Sequence, residues 1–98
     1  MDINISWRHM DSVKTIEEYV KKKVNQLEKF SHRIKNVKMV INKEKQRFKV
    51  ELETKLNKAP PLFVQSTGYE LRDTIDTCLH KGERKIKEYE KKVKSYRT

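Results

Sequence analysis

The residues of this chain best suited to chemistry on a partner are the cations of its last third. In GYELRDTIDTCLHKGERKIKEYEKKVKSYRT, from Gly68 to Thr98, the part past His80 sets Lys81, Arg84, Lys85, Lys87, Lys91, Lys92, Lys94 and Arg97 against only Glu83, Glu88 and Glu90. Ammonium and guanidinium groups in such surplus bind phosphate oxygens by charge and hydrogen bonding together. The spacing gives them a scaffold. Leu71, Ile75, Cys78, Leu79, Gly82, Ile86, Tyr89, Val93 and Tyr96 recur three and four residues apart, which places them on one side of a helix. At about 100° per residue, Lys81, Lys85 and Lys92 fall on one flank of that apolar stripe, and Arg84, Lys87, Lys91 and Lys94 on the back. Glu83–Lys87 and Glu88–Lys92 are spaced to pair along the helix, yet many cations stay unmatched. A solvated back is the ordinary reading of a lysine-rich helix; the one-sided surplus points beyond it.

Other chemistries lack their residues. His9, His32 and His80 are far apart and show no ligand spacing with Cys78. Gly68 and Gly82 are the only glycines, so no phosphate-cradling loop exists. Asp73 and Asp76 sit in the first turns of the long helix, where acids favour the dipole, and have no catalytic companion. The chain therefore reads as a non-enzyme with no cofactor and no metal. A lone cysteine cannot close an internal disulfide, so nothing argues for secretion. No apolar run reaches the length of a membrane span, and MDINISW is too short and too polar for a signal peptide. The expectation is a cytoplasmic protein without membrane or small-molecule partners.

Ninety-eight residues make one domain, residues 1–98, and 35% hydrophobic against 39% charged residues means a small core under a highly charged surface. The net charge of +10 is a field able to steer a polyanion. It is uneven: residues 1–30 hold six cations and five anions, residues 31–68 nine and three, residues 69–98 nine and six.

The elements that must position these charges follow from periodicity. DINISWR, residues 2–8, alternates, with Ile3, Ile5 and Trp7 to one face of a strand. HMDS then breaks the strand and starts a helix, with Asp11 or Ser12 as N-cap. From Val13 to about Phe30, Val13, Ile16, Val20, Val24 and Leu27 share a helical face; Tyr19, Lys23 and Phe30 flank it, and Lys22 and Lys29 lie behind. Three strands follow. In residues 34–42, Val37, Met39 and Ile41 share a face, while Ile34 and Val40 break the alternation. In residues 47–56, Phe48, Val50 and Leu52 point inward. In residues 62–67, after a turn with two prolines that excludes ladder pairing there, Leu62, Val64 and Ser66 share a face. The order β-α-β-β-β-α predicts an α+β domain: a four-stranded, mostly antiparallel sheet with two helices packed on one face. The first connection is long enough for a parallel crossover. Gly82 interrupts the buried stripe of the long helix. Close approach of the first helix is the simplest account, and a weak point in the helix is the alternative.

In this order the chain resembles the ribosome hibernation-promoting factor family, also called ribosome-associated inhibitor or sigma-54 modulation proteins. MDINIS is similar to the family's first strand. YVKKKVNQLEKF, Tyr19 to Phe30, resembles its first-helix pattern of a valine, a basic run, L-E-K or L-E-R and an aromatic. ELRDTID, Glu70 to Asp76, resembles D-M-Y-x-A-I-D, and LHKGERKIKEYEKK resembles the basic run that follows it. Arg72 replaces the family's aromatic, Val13 its cap threonine, Gln26 a lysine and Gly82 a leucine. The resemblance implies a four-stranded sheet with two helices on one face. It further implies a monomeric partner of the small ribosomal subunit and its rRNA, which occupies the mRNA and tRNA channel and holds ribosomes inactive under stress. Long members add a dimerising domain, so this chain corresponds to a short member or to an N-terminal domain. The RNA-binding residues carried over are Lys22, Lys23 and Lys29 on the first helix and Lys81, Arg84, Lys85, Lys91 and Lys92 on the second. The alternative reading is a double-stranded RNA-binding-like module not specific for ribosomes. Against it, the last helix opens with Glu70 and Asp73, which repel phosphate. A third reading is an interaction module for an acidic protein.

Overall fold

A computed structural model of the protein describes residues 1–96. The expectations for the Tyr96 side chain and for Arg97 lie outside the described residues. The chain runs β1 (Asp2–Arg8), α1 (Lys14–Asn25), a 3-10 turn (Gln26–Lys29), β2 (Ile34–Glu44), β3 (Arg47–Leu56), β4 (Leu62–Gly68) and α2 (Leu71–Tyr96). The sheet order is β1-β2-β3-β4, with β1 parallel to β2 and the other pairs antiparallel. This is the expected α+β topology.

Register carries the alternating pattern across all four strands. Ile3–Val37–Thr54–Leu62, Ile5–Met39–Leu52–Val64 and Trp7–Ile41–Val50–Ser66 form three rows on one face. Both helices cover that face. Val20, Val24 and Leu27 come from the α1 side, and Ile75, Cys78, Leu79 and Ile86 from α2. The two residues that broke the alternation in β2 are explained. A bulge between Ile34 and Asn36 shifts the phase, so Ile34 joins the core three residues before Val37. Val40 lies in register between Ser6 and Glu51, on the face away from the helices.

Three local expectations are corrected. First, neither Asp11 nor Ser12 caps α1. Val13 is the N-cap, with φ −118° and ψ 111°, no side-chain cap, and a carbonyl that accepts from the N–H groups of Ile16 and Glu17. A good cap contributes about 1 kcal/mol. Burying Val20 and Val24 contributes about 1.5–3 kcal/mol each, so packing sets the helix register and the cap yields. Val13 is 37% exposed and stands outside the core cluster. Val13→Asp should therefore stabilise the domain by about 1 kcal/mol, read as a Tm rise of about 4–8 °C in thermal unfolding; an unchanged Tm would contradict it.

Second, the α-helix stops at Asn25, and its expected last turn is 3-10, tightening the chain so that Leu27 stays buried. Third, Gly82 does not accommodate α1. A Cβ there would lie 2.6 Å from Leu52 Cδ2 and 3.8 Å from Val64 Cγ2. The close approach is between α2 and strands β3 and β4.

Candidate nucleic-acid interface

α2 is long because nothing in its sequence stops it, and it is fixed because its stripe is buried against β3 and β4. Its charged sides therefore have definite directions. On the β4 side, Lys81 Nζ donates to the Gln65 carbonyl at 2.9 Å, which covers an acceptor of an edge strand. Lys85 and Lys92 are exposed and project to the same side at helical spacing, with the exposed Glu88 between them three residues after Lys85 and four before Lys92. Arg84 and Lys91 are exposed on the outer ridge. The outer ridge and the β4 flank form one band of five cations, Lys81, Arg84, Lys85, Lys91 and Lys92, against one acid within it, Glu88.

The side of α2 that faces α1 is different. The Tyr19 hydroxyl donates to Asp76 Oδ1 at 2.5 Å, and Arg72 and Lys23 lie 4.6 and 5.6 Å from the Tyr19 ring centroid. That hydrogen bond, then burial and the Asp76 charge, push the phenol above its ordinary pKa of 10.0, against the opposing charge of Arg72. Lys87 stands 4.6 Å over the Phe30 ring, so it leans toward α1 rather than lying on the back. A groove between the helices is lined by Lys23 and Lys29 on one wall and by Asp76, His80 and Glu83 on the other. Lys22 is exposed on α1. The structure thus gathers Lys81, Arg84, Lys85, Lys91 and Lys92 into one band, while Arg72 and Lys87 lean toward α1 and Lys23 and Lys29 sit in a groove whose acids offset them.

Farther along, Arg33 ties the helices to the sheet. Its guanidinium donates to Glu90 Oε1 through Nε at 3.1 Å and Nη2 at 2.8 Å, Ser31 Oγ donates to the same oxygen at 2.6 Å, and the Tyr89 ring lies 5.3 Å away. Burial pushes the Glu90 carboxyl up, but the hydrogen bonds from Ser31 and Arg33 and the charges of Arg33 and Lys94 outweigh it and hold its pKa below the ordinary 4.5. A carboxyl depressed in the folded state contributes stability above the unfolded pKa and loses it as pH falls through the folded one. The stability difference between the parent and Glu90→Gln should therefore be full at neutral pH and shrink as pH drops through and below 4.5. Urea unfolding at several pH values measures it; a difference independent of pH would mean the clamp is not ionic.

Cys78 is fully buried, and burial pushes its thiol up to about 12, so it packs and does not react. Among the described residues there is no cluster of His, Cys, Asp and Glu able to hold a metal ion, and no helix long and apolar enough to cross a membrane.

The sequence pattern of the sigma 54 modulation protein / S30EA ribosomal protein family matches residues 3–94. The chain belongs to this family. Membership makes it a ribosome-associated protein, and the family is one of binding and modulator proteins rather than a known enzyme class. Two solved structures share the fold. A ribosomal subunit interface protein from Coxiella burnetii superposes with a TM-score of 0.85 at 21% identity, covering 92% of this chain and 98% of that one. The N-terminal domain of Thermus thermophilus Protein Y gives 0.82 at 21% identity, covering 91% and 99%. No curated protein sequence matches. The three chains thus keep the sheet and both helices while most side chains differ.

Two features are not legible along the chain alone. Arg33 reads as part of a helix-closing SHR run, and its partner Glu90 is 57 residues away. The cations of the β2–β3 hairpin read as a polar turn, although the run KEKQRFK, residues 43–49, carries the signal in its charge.

Proposed function

We propose that this domain binds rRNA in the mRNA and tRNA channel of the small ribosomal subunit and holds ribosomes inactive under stress. The observation that carries the reading is the band of Lys81, Arg84, Lys85, Lys91 and Lys92 on α2. A helix packed on a sheet holds cations at fixed intervals, so they can match a rigid array of phosphates. Recognition of folded RNA by backbone and shape needs no base-reading code. Inhibition is then steric: a domain seated in the channel excludes mRNA and tRNA. The Coxiella neighbour's description as a ribosomal subunit interface protein agrees with such a location. Lys22, Lys23 and Lys29 would add contacts from α1. The domain acts as a monomer in the cytoplasm, and no cofactor, membrane or small-molecule substrate enters this role.

The test is sedimentation of purified ribosomes with the protein through sucrose gradients at stepped salt. If about six to eight phosphates are neutralised, log affinity falls with log salt at a slope of roughly −4 to −7. Co-migration with small subunits and intact ribosomes, weakening progressively with salt, supports the proposal. A flat salt dependence, or protein that stays at the top of every gradient, refutes it. Tight binding to plain duplex RNA in gel shifts would favour the ribosome-independent module instead.

A further inference from the structure

The far end of the sheet carries a second charged surface that the α2 band does not use. Tyr69 leaves β4 directly after Gly68, whose register partner is Phe48, and it is 80% exposed. It shares a shallow depression with Glu44, Lys45, Gln46 and Arg47, the tip of the β2–β3 hairpin. Lys45 has φ 48°, the left-handed value that tight two-residue hairpins put at their first central position, so the chain reverses sharply at this tip. Lys43, Lys45, Arg47 and Lys49 face one acid in the same run, Glu44, and Arg47 Nε already lies 3.7 Å from its Oε1. The register adds Arg8 at the same end, since Arg8 pairs with Asn42 and Asn42 with Lys49. Lys43 is folded over the Phe48 ring at 4.5 Å, which leaves Lys45, Arg47 and Lys49 as the cations this end offers to a ligand of the tyrosine.

We propose that Tyr69 and this hairpin form a second RNA site that takes one unpaired base. The base stacks on the phenol ring, and its flanking phosphates lie on Lys45, Arg47 and Lys49. Every base has a π-face, so an exposed aromatic ring amid cations binds single-stranded RNA without a sequence code. The charges also set a direction. Glu70 and Asp73 line the hollow on the α2 side of Tyr69 and repel phosphate, so the strand leaves toward the hairpin. A protein partner fits less well, because the ring has cations and acids around it and no exposed aliphatic companions. Phe63 is also exposed but lies opposite Glu53, farther down the sheet. The site rests on the ribosomal reading only for the source of the RNA.

The experiment is fluorescence anisotropy at low salt with two labelled probes, a hexaadenylate RNA and a hexamer of the same ribose-phosphate backbone without bases. The parent chain should prefer the probe with bases by about fivefold or more, the scale of one base–aromatic stack. Tyr69→Ala should abolish the preference while keeping the affinity for the abasic hexamer, and Tyr69→Phe should retain it. Lys45→Glu with Arg47→Glu should weaken both probes together and flatten the salt dependence. Equal affinity of the parent for both probes, or a preference unchanged in Tyr69→Ala, overturns the proposal. The ribosomal reading is judged separately. A chain that shows the base preference but never co-sediments with ribosomes keeps this site and loses that function; the converse result loses only this site.

Discussion

Lys85→Glu combined with Lys92→Glu will free the protein from ribosomes at a salt concentration where the parent still co-sediments. Both side chains are exposed on the β4 flank of α2, and neither contributes to the core, so stability should move by no more than about 0.5 kcal/mol. Each reversal removes one attraction to phosphate and adds one repulsion. At about 1 kcal/mol for a unit pair at 4 Å in water, the two reversals swing about 4 kcal/mol, and screening reduces this to on the order of 2–4 kcal/mol, about thirty- to a thousandfold in affinity. The salt slope should fall in magnitude by about two, one for each phosphate that is no longer neutralised. Lys22→Glu with Lys29→Glu should cost less, because Lys29 already shares its groove with Asp76 and Glu83. Gradients and a salt titration of each variant measure all of this. If the α1 pair costs more than the α2 pair, the interface is the groove and the α2 band is only solvated surface.

Gly82→Leu will destabilise the fold by overpacking the layer between α2 and the sheet. The added Cβ alone would come within 2.6 Å of Leu52 Cδ2, and three further carbons would have to enter a layer where Leu52 and Ile86 have no exposure. Overpacking of this kind costs about 1–3 kcal/mol and sometimes more, against about 1 kcal/mol regained from replacing a mid-helix glycine. The expected net loss is up to about 2 kcal/mol, a fall in Tm of up to roughly 8–16 °C for a domain of this size. Gly82→Ala brings only the Cβ, and its propensity gain should nearly cancel the clash. Leu52→Val removes the colliding Cδ2, so it should rescue Gly82→Leu relative to its own cost, giving a favourable coupling in a double-mutant cycle. Additive effects would show that Gly82 is not held by Leu52. The same close approach matters for binding: a leucine that lifts α2 from β3 also moves the band of lysines, so ribosome affinity should fall along with stability.

The long-range ties give the pH behaviour its logic. Glu90 is the acceptor for both Ser31 and Arg33, and Arg33 covers Tyr89, so one carboxylate holds the distal part of α2 against the start of β2. Acid that protonates Glu90 loosens the part of α2 that presents Lys91 and Lys92. No lysine needs to titrate for acid to weaken the interface.

The amino-acid sequence by itself determined the element order, the faces of all four strands and the stripe of α2. It did so because period two and period 3.6 are written in residues a few positions apart, and burial enforces them. Val50 and Leu52 alternate into the helix-covered core, and Ile75, Cys78, Leu79 and Ile86 recur into it as spaced, while Phe48, in step with Val50 and Leu52 along β3, stays half-buried beneath Lys43. It also determined which cations α2 could offer, because a helix fixes angular position from residue number alone. What only the tertiary structure decided were the partners across distance. That Val13 would be an N-cap without a side-chain bond followed from how α1 packs, a stronger influence than any local cap. That Gly82 would meet Leu52 rather than α1 depended on where α2 crosses the sheet. That Lys87 would lean on Phe30, that Arg33 would find Glu90, and that Tyr69 would stand beside the tip of the β2–β3 hairpin depended on strand register and helix placement. Those quantities arise from the sum of many weak interactions over the whole core, so no single stretch of the chain encodes them.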